Sequence, residues 1–404
     1  MIAILDQPQF GWRLRALRLG RGLSQADLCG PQMSTSYLSR LESGTRPPTV
    51  KAVEYLAEKL DVTVAAFQEP APGSLDEALA RAVSAEDQAE AAGPLGAAGT
   101  DAASGSPLLR WSALWTLARI SRELGRRAEE ADALAGLAKL SADIGIPDLR
   151  VRTLTALSRC QRMSGEAASA RTNASEAFAL ASEHKVPLGD RVRALLALVA
   201  AETEVGVLAD ARTHSDELEV LVEDIPGKLP VLALWTAATV RVRQGDHVAA
   251  QSLLERALDR LDSQQDVVLW MRLRLAAASL YLQMVPRRGE KAEGCLAEAE
   301  PALRLVGTSQ QRQEFLLLKA QLALHQRDPA EAQSLYEQVD GARDELNFRD
   351  LVRLKVLDCQ LRIHAGHRDP GVRDMEELAK QAQDSGNVDL AAEVWRCLAE
   401  ALAR

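Results

Sequence analysis

Five hydroxyl side chains and one guanidinium fall within seven consecutive residues near the start of the chain. Hydroxyl groups both donate and accept hydrogen bonds, and a guanidinium donates two parallel bonds to a planar pair of acceptors. Carried on one face of a helix, such groups suit the recognition of nucleobase edges, where guanine O6 and N7 accept from arginine. The residues are Ser34, Thr35, Ser36, Tyr37, Ser39 and Arg40.

Capping residues and glycines divide the chain before this run into short helices. Apolar positions at helical spacing predict a first helix over residues 10–19, which Gly20 and Gly22 end. Ser24 is a good N-cap for a second helix. That helix must be short, because Gly30-Pro31 cannot continue it.

The run itself is predicted to form a third helix. Ser34 caps it, Arg40 lies on it and Gly44 ends it. A fourth helix is predicted over residues 50–60, and a last turn buries Phe67. Two short helices joined by a tight turn, the second ending at a glycine, are typical of a helix-turn-helix reader of the DNA major groove.

Several segments of this region share their capping residues, helix stops and apolar spacing with a known family. They are Leu23-Ser24-Gln25-Ala26-Asp27-Leu28, Ser34, Tyr37-Leu38-Ser39-Arg40-Leu41-Glu42-Ser43-Gly44, Arg46-Pro47, Leu56-Ala57 and Leu60-Asp61-Val62. The match spans residues 9–68, about a sixth of the chain, and closely resembles the Cro/C1-type (Xre) helix-turn-helix family. The turn at residues 29–33 is one residue shorter than the commonest family form.

The resemblance implies a role for each matching position. The recognition helix would face the groove of double-stranded DNA with Thr35, Ser36, Tyr37, Ser39 and Arg40, above its cap Ser34. Further contacts to phosphates would come from Gln25, Arg46 and Arg13. Arg18 and Glu42 match a structural ion pair of the family. The alternative is a helical dimerisation or protein-binding module that has lost its DNA function.

Charge is unevenly distributed along the chain. Residues 1–68 hold eight Lys and Arg against six Asp and Glu, whereas the whole chain has a net charge of −9. A weakly basic reader makes few phosphate contacts, so its affinity per copy is modest. We therefore expect a homodimer that binds a two-fold DNA operator.

Composition and cysteine usage indicate an all-α protein of the cytoplasm. The chain is 47% hydrophobic but only 4% aromatic, which favours long helices over sheets. No run of about 18 apolar residues predicts a membrane span, and the first residues do not form a secretory signal. The five cysteines are scattered without a CxxC pattern, as expected of reduced thiols.

The rest of the chain is predicted to be a helical repeat. We expect a helix-turn-helix domain at residues 1–69, a linker with a connector helix at 70–107 and an α-solenoid at 108–404. Turn points recur every 38 to 44 residues, and about seven two-helix units resemble lengthened tetratricopeptide repeats, followed by a last helix from residue 387. The turn points are Gly125, Gly165, Gly206, Gly245, Gly289, Asp328 and Gly366. The predicted fold is thus a five-helix reader followed by an all-α solenoid.

The first helix of each repeat should line a concave groove. Its residues in the first four units would be Trp115, Arg119, Arg122, Arg152, Thr155, Arg159, Arg162, Arg193, Trp235, Thr239 and Arg243. Such a cluster of arginines suits carboxylates, including the C-terminus of a peptide. The alternative is that the arginines pair with acids such as Glu130, Glu166 and Glu204. The tryptophans fall at helical spacing that equally suits a core.

The sequence offers no constellation for an enzyme or a cofactor. It has no phosphate-binding loop of the GxxxxGK[ST] kind, no HExxH and no evident nucleophile with a base. Cys359, His364 and His367 lack a fourth ligand and a closed loop, so we expect no metal.

A reader joined to repeats resembles the peptide-pheromone receptors of Gram-positive bacteria, the RRNPP group. This resemblance implies a bacterial transcription regulator whose repeats bind a short peptide, as in quorum sensing, or a small molecule. Asparagines that grip a peptide backbone in that group are rare here, so either arginines hold the ligand or the ligand is not a peptide. The second hypothesis is a scaffold whose repeats dock a partner protein while the reader only localises it.

Overall fold

The computed structural model describes residues 7, 9–30, 33–67, 75–85, 92, 95 and 106–402. In these ranges every regular element is an α-helix or a 3-10 turn, apart from an isolated bridge between Gly30 and Met33. The chain divides into two compact units, Met1–Ile120 and Ser121–Arg404. No helix of the described ranges is long and apolar enough to cross a membrane.

The first unit begins with three α-helices around one small core. They are α1 (Gln9–Leu19), α2 (Thr35–Glu42) and α3 (Val50–Lys59), followed by a 3-10 turn (Val64–Phe67). Phe10 and Phe67 stack with their ring centroids 5.4 Å apart, and Leu14, Leu38 and Leu56 are fully buried around them. The sequence predicted these elements and this core.

The second predicted helix is not a helix. Residues 25–28 form turns closed by i→i+3 bonds, from the Asp27 amide to the Ser24 carbonyl at 3.2 Å and from the Cys29 amide to the Ala26 carbonyl at 3.1 Å. The expected cap does form, because the Ser24 hydroxyl accepts from the Asp27 amide at 3.4 Å and the Ser24 amide donates to the Asp27 carboxylate at 2.7 Å. A helix does not continue from it, since Gly30-Pro31 follows within about one turn and isolated turns are unfavourable.

The predicted linker contributes a helix to the core of the first unit. Helix α4 (Leu75–Ser84) and helix α5 (Pro107–Glu123) share a buried cluster that contains Leu75, Ala78 and Ile120. Ala92 and Leu95 belong to the same cluster. Most of residues 93–107, which the sequence predicted to be a flexible loop, lies outside the described residues.

The second unit is a series of helical hairpins, as predicted. Within this unit each helix packs on the next in chain order, and its described residues form fourteen α-helices. The helices are α6 (Arg127–Ile144), α7 (Pro147–Met163), α8 (Ala167–Glu183), α9 (Leu188–Glu204), α10 (Leu208–Leu221), α11 (Lys228–Arg243), α12 (His247–Arg260), α13 (Val267–Gln283), α14 (Gly289–Val306), α15 (Ser309–His325), α16 (Pro329–Asp340), α17 (Phe348–His364), α18 (Arg368–Asp384) and α19 (Val388–Leu402).

The end of the second unit packs against its beginning. The Asn387 side-chain amide donates to the Gly165 carbonyl at 2.8 Å across 222 residues of sequence. The Arg127 guanidinium donates to the carbonyls of Glu345, at 2.7 Å, and Leu346. Helix α19 also contacts α9. The repeat unit therefore curls until its last helices lie on its early hairpins.

Candidate DNA-reading surface and interior ligand site

Helix α2 presents the predicted reading residues on its outer face. Leu38 and Leu41 are buried in the core, whereas Thr35, Ser36 and Ser39 are exposed. The Ser34 hydroxyl accepts from the Tyr37 amide at 3.2 Å and so caps the helix. The amphipathic helix thus has a fixed apolar side and an outer side of hydroxyl groups.

Arg40 lies on the same outer face. Its Nε donates to the Ser36 carbonyl at 3.2 Å, and it forms no ion pair among the described residues. Its guanidinium is therefore held along the helix without a carboxylate partner. Such an arginine can turn its terminal amino groups toward an external acceptor pair.

A buried ion pair fixes α2 on α1. The Arg18 guanidinium donates to both carboxylate oxygens of Glu42, at 2.6 and 2.9 Å, and to the Leu23 carbonyl at 2.8 Å. Burial raises the pKa of Glu42, but the hydrogen bonds from Arg18 and Gln25 outweigh it and bring this pKa below its usual range. The structure places these two residues together, in the arrangement that the family resemblance implied.

The predicted phosphate contacts have different surroundings. Gln25 donates its side-chain amide to Glu42 at 2.7 Å, so this group already belongs to the buried network. The Arg13 Nε donates to the Ala66 carbonyl at 2.8 Å. The Arg46 guanidinium lies 4.8 Å from the ring centroid of Tyr37, in cation–π contact on the protein surface. Of the three, Arg46 is the residue whose charge is exposed beside the reading face.

In the second unit the predicted groove arginines are paired with acids. Asp190 accepts from Arg152 at 2.8 Å and lies 3.3 Å from Arg193. Arg159 donates to Glu130, and Arg162 donates to Glu204 at 2.7 Å. These four arginines therefore follow the alternative of pairing with acids.

The other predicted groove residues are dispersed. Trp235 packs against the core of the central hairpins, and the Thr155 hydroxyl is buried without a partner in the described structure. Arg122 is exposed near the end of α5. Trp115 and Arg119 belong to the first unit, where Trp115 stacks on Trp111 at 5.1 Å.

Arg243 lies in a buried ion cluster that joins α11 to α17 and α19. Its guanidinium donates to Asp389 at 3.2 Å and to the side chain of Gln283 at 2.5 Å. Arg349 lies 2.9 Å from Asp389 and 3.6 Å from Glu204 of α9. These contacts connect early and late hairpins across the interior of the repeat unit.

Glu393 completes this cluster. It accepts two parallel bonds from Arg353, at 2.9 and 3.1 Å, and lies 3.8 Å from Arg243. Burial raises its pKa, but the surrounding arginines dominate and lower the pKa of Glu393 to about 2. The carboxylate is therefore ionised throughout the physiological range and keeps the cluster intact.

A cavity of about 300 Å³ lies beside this cluster, between α13, α15, α17 and α19. Its wall combines apolar side chains such as Val352, Val356 and Val394 with the amides of Gln321 and Gln360. These two amides form no hydrogen bond within the described ranges. Its charged and histidine residues are Arg287, Arg353, Arg368, Arg396, Glu393, Glu400, His325 and His364.

None of the eleven predicted groove residues lines this cavity. The repeat pattern selected the first helices correctly, but it assigned the groove to the early units, whose arginines are neutralised by acids. A signal for the late units was present in the sequence. Gln283, Gln321 and Gln360 recur at spacings of 38 and 39 residues, the repeat period, and so occupy equivalent inward positions.

Comparison with known families supports the helix-turn-helix assignment in the first unit. Residues 9–69 match the family described as "Helix-turn-helix domain". No curated protein matches the chain in sequence closely enough to count as a relative.

Comparison with solved structures covers the whole chain. The Rap conjugation gene regulator of plasmid pLS20, solved with the Phr* peptide, is 9% identical, with a TM-score of 0.54 over 95% of this chain and 98% of that one. A Rap protein complexed with Competence and Sporulation Factor is 10% identical, with a TM-score of 0.53 over 98% and 96%. PlcR of Bacillus thuringiensis, in complex with the peptide PapR7 and DNA, is 13% identical, with a TM-score of 0.40 over 74% and 95%.

Identities near 10% establish a shared fold and no more. The two Rap structures share with this chain an all-helical architecture over nearly its whole length. The chain carries a helix-turn-helix domain at residues 9–69 and, in its remaining length, the helical-repeat fold of the Rap proteins.

Proposed function

We propose that this chain is a sequence-specific DNA-binding transcription regulator whose repeat unit binds a peptide or small-molecule effector and thereby controls binding to an operator. The observation that carries the first part is the outer face of α2. Ser36, Ser39 and Arg40 are exposed on a capped helix whose opposite face is buried, and Arg40 has no acidic partner among the described residues. Each is a side chain that can contact base edges.

Ligand sensing is proposed from the interior cavity. It lies between four helices, and it combines apolar walls with a few polar groups that can orient a ligand. One of the structures with the same fold was solved with a bound peptide. A scaffold protein would need a broad apolar surface for its partner. The small, arginine-lined cavity therefore favours a small ligand over a docked protein.

We infer that the same contacts carry the effect of a bound ligand through the repeat unit. The cavity shares Gln283, Arg353 and Glu393 with the ion cluster that joins α19 to the early hairpins. A ligand that binds one arrangement of these groups better than another shifts the curvature of the repeat unit. In a cytoplasmic homodimer, a change in curvature would change the separation of the two readers on a two-fold operator.

The reading surface is tested by gel shift with the full-length protein and DNA from its own upstream region, at fixed salt. Arg40→Ala should weaken operator binding by about 1–3 kcal/mol and relax specificity at one base pair. Arg304→Ala is the matched control, because Arg304 is an exposed arginine of the repeat unit that pairs with Glu300. An Arg40→Ala protein with unchanged affinity for the operator would refute the proposed orientation of α2.

A further inference from the structure

The cavity is positively charged at one end. Four arginines and two glutamates line it, in a chain whose net charge is −9. At the inner end Arg353 and Glu393 neutralise each other through two parallel hydrogen bonds. The excess positive charge therefore lies at the other end, where α13, α17 and α19 finish.

Two of the three guanidiniums at that end share one carboxylate. Glu400 accepts from Arg287 and, at 2.5 Å, from Arg396. Arg368 donates to the Leu402 carbonyl at 3.2 Å and forms no ion pair within the described part of the chain. The Nε of Arg287 is buried and has no partner there. A buried donor without an acceptor is costly, so this site is short of negative charge.

The remainder of the wall defines the body of a matching ligand. Leu282, Leu324, Val356 and Val394 offer an apolar surface next to the arginines. The amides of Gln321 and Gln360 can each both donate and accept a hydrogen bond. A volume of about 300 Å³ is at the lower limit for ligand pockets, so the ligand must be short.

We propose that this cavity binds a short apolar ligand through a free carboxylate, that Arg287, Arg368 and Arg396 hold this carboxylate, and that Glu400 occupies its place when no ligand is bound. The inference rests on the proposed function, because it names the chemistry that the sensor recognises. The carboxylate can belong to the C-terminus of a peptide or to a small organic acid. Both supply the same planar acceptor pair to a guanidinium.

Binding is tested on the full-length protein by calorimetry, with two pairs of probes. The first pair is a pool of N-acetylated tripeptides of Ala, Val, Leu, Ile and Phe, prepared as free acids and as C-terminal amides. The second pair is octanoate and octanamide. Hydrogen bonds to charged groups contribute about 1.5–3 kcal/mol, so each acid that binds should do so about 10- to 150-fold more tightly than its amide.

Substitutions distinguish the role of Glu400, the internal competitor, from the role of the arginines that hold the ligand carboxylate. Glu400→Gln should tighten binding of the acids about tenfold or more, because it removes the internal carboxylate. Arg287→Gln should abolish the preference for acid over amide. Arg368→Gln provides the same test on an exposed residue. Glu377→Gln, an exposed glutamate of α18 outside the cavity, is the control and should bind like the wild type.

The outcomes also show whether the carboxylate comes from a peptide or from a small organic acid. They distinguish a failure of this inference from a failure of the proposed sensing function. Binding of the peptide acids or of octanoate supports the inference and identifies which source the cavity accepts. Equal binding of acids and amides, or no binding of either acid by the wild type and Glu400→Gln, overturns it. If an acid binds but operator affinity in the gel shift does not change, the ligand site stands and the proposed sensing function fails.

Discussion

Replacing Gly165 with alanine tests whether the repeat unit is closed in solution. Gly165 occupies the turn between α7 and α8 with a φ of +85°, and an added Cβ would lie 2.6 Å from the Phe348 ring of α17. Gly245 occupies the equivalent turn between α11 and α12 with a φ of +80°, but no atom lies within 4 Å of its added Cβ. The two substitutions therefore share their backbone strain and differ in one long-range contact.

The expected magnitudes follow from this geometry. A non-glycine residue in the left-handed region costs about 1–2 kcal/mol, so the folding stability of both variants should fall by this amount. Overpacking against Phe348 adds about 1–3 kcal/mol to Gly165→Ala alone. The ring is confined by the core of α17 and α18, so it cannot move aside freely.

The assay is amide hydrogen exchange of the full-length protein, read in residues 348–364 and 388–402. Gly165→Ala should exchange there roughly 5- to 150-fold faster than Gly245→Ala, the factor that corresponds to about 1–3 kcal/mol. Equal exchange in the two variants would show that α17 does not pack on the second hairpin. The closed arrangement of the repeat unit would then be wrong.

Two further predictions concern the buried ion pairs. Glu42→Ala leaves Arg18 buried without its partner and should lower the stability of α2 by about 3–5 kcal/mol in hydrogen exchange, whereas Arg18→Met with Glu42→Leu should cost much less. Equal losses in both proteins would contradict a paired role. The pKa of Glu393 is lowered to about 2 on folding, so its contribution is fully present above its unfolded pKa of about 4.3 and is lost as the pH falls toward 2. Urea unfolding between pH 5 and 2 should show this loss in the wild type and a flatter profile in Glu393→Gln.

Local signals in the sequence were sufficient to predict most of the helices. Ser34 and Gly44 bound the recognition helix because a cap and a stop act on neighbouring residues. The repeat was predictable for the same reason, since its turns recur at a nearly constant period. The prediction of a helix after Ser24 was wrong. A capping residue indicates where a helix can begin, but it does not indicate whether the following residues can stabilise more than one turn.

The ligand site was less predictable than the fold. A repeat pattern shows which helix face points inward, and it did select Arg162, Arg243 and their equivalents. It does not show which of these residues meets a partner from a distant repeat. Arg243 is neutralised by Asp389, 146 residues later, whereas Gln321 and Gln360 remain without a partner in the described structure.

The sequence by itself therefore determined an all-α chain, a capped reading helix with Arg40 outward and a two-helix repeat, because these depend on periodicity and on neighbours within a few residues. Only the tertiary structure decided that α19 returns to α9, that the early arginines pair with acids and that the cavity lies among the late hairpins. The physical reason is that closure depends on small rotations that accumulate from one repeat to the next. The sum of these rotations cannot be predicted from any local sequence pattern. The partners of the inward-facing charges are therefore known only from the assembled repeat unit.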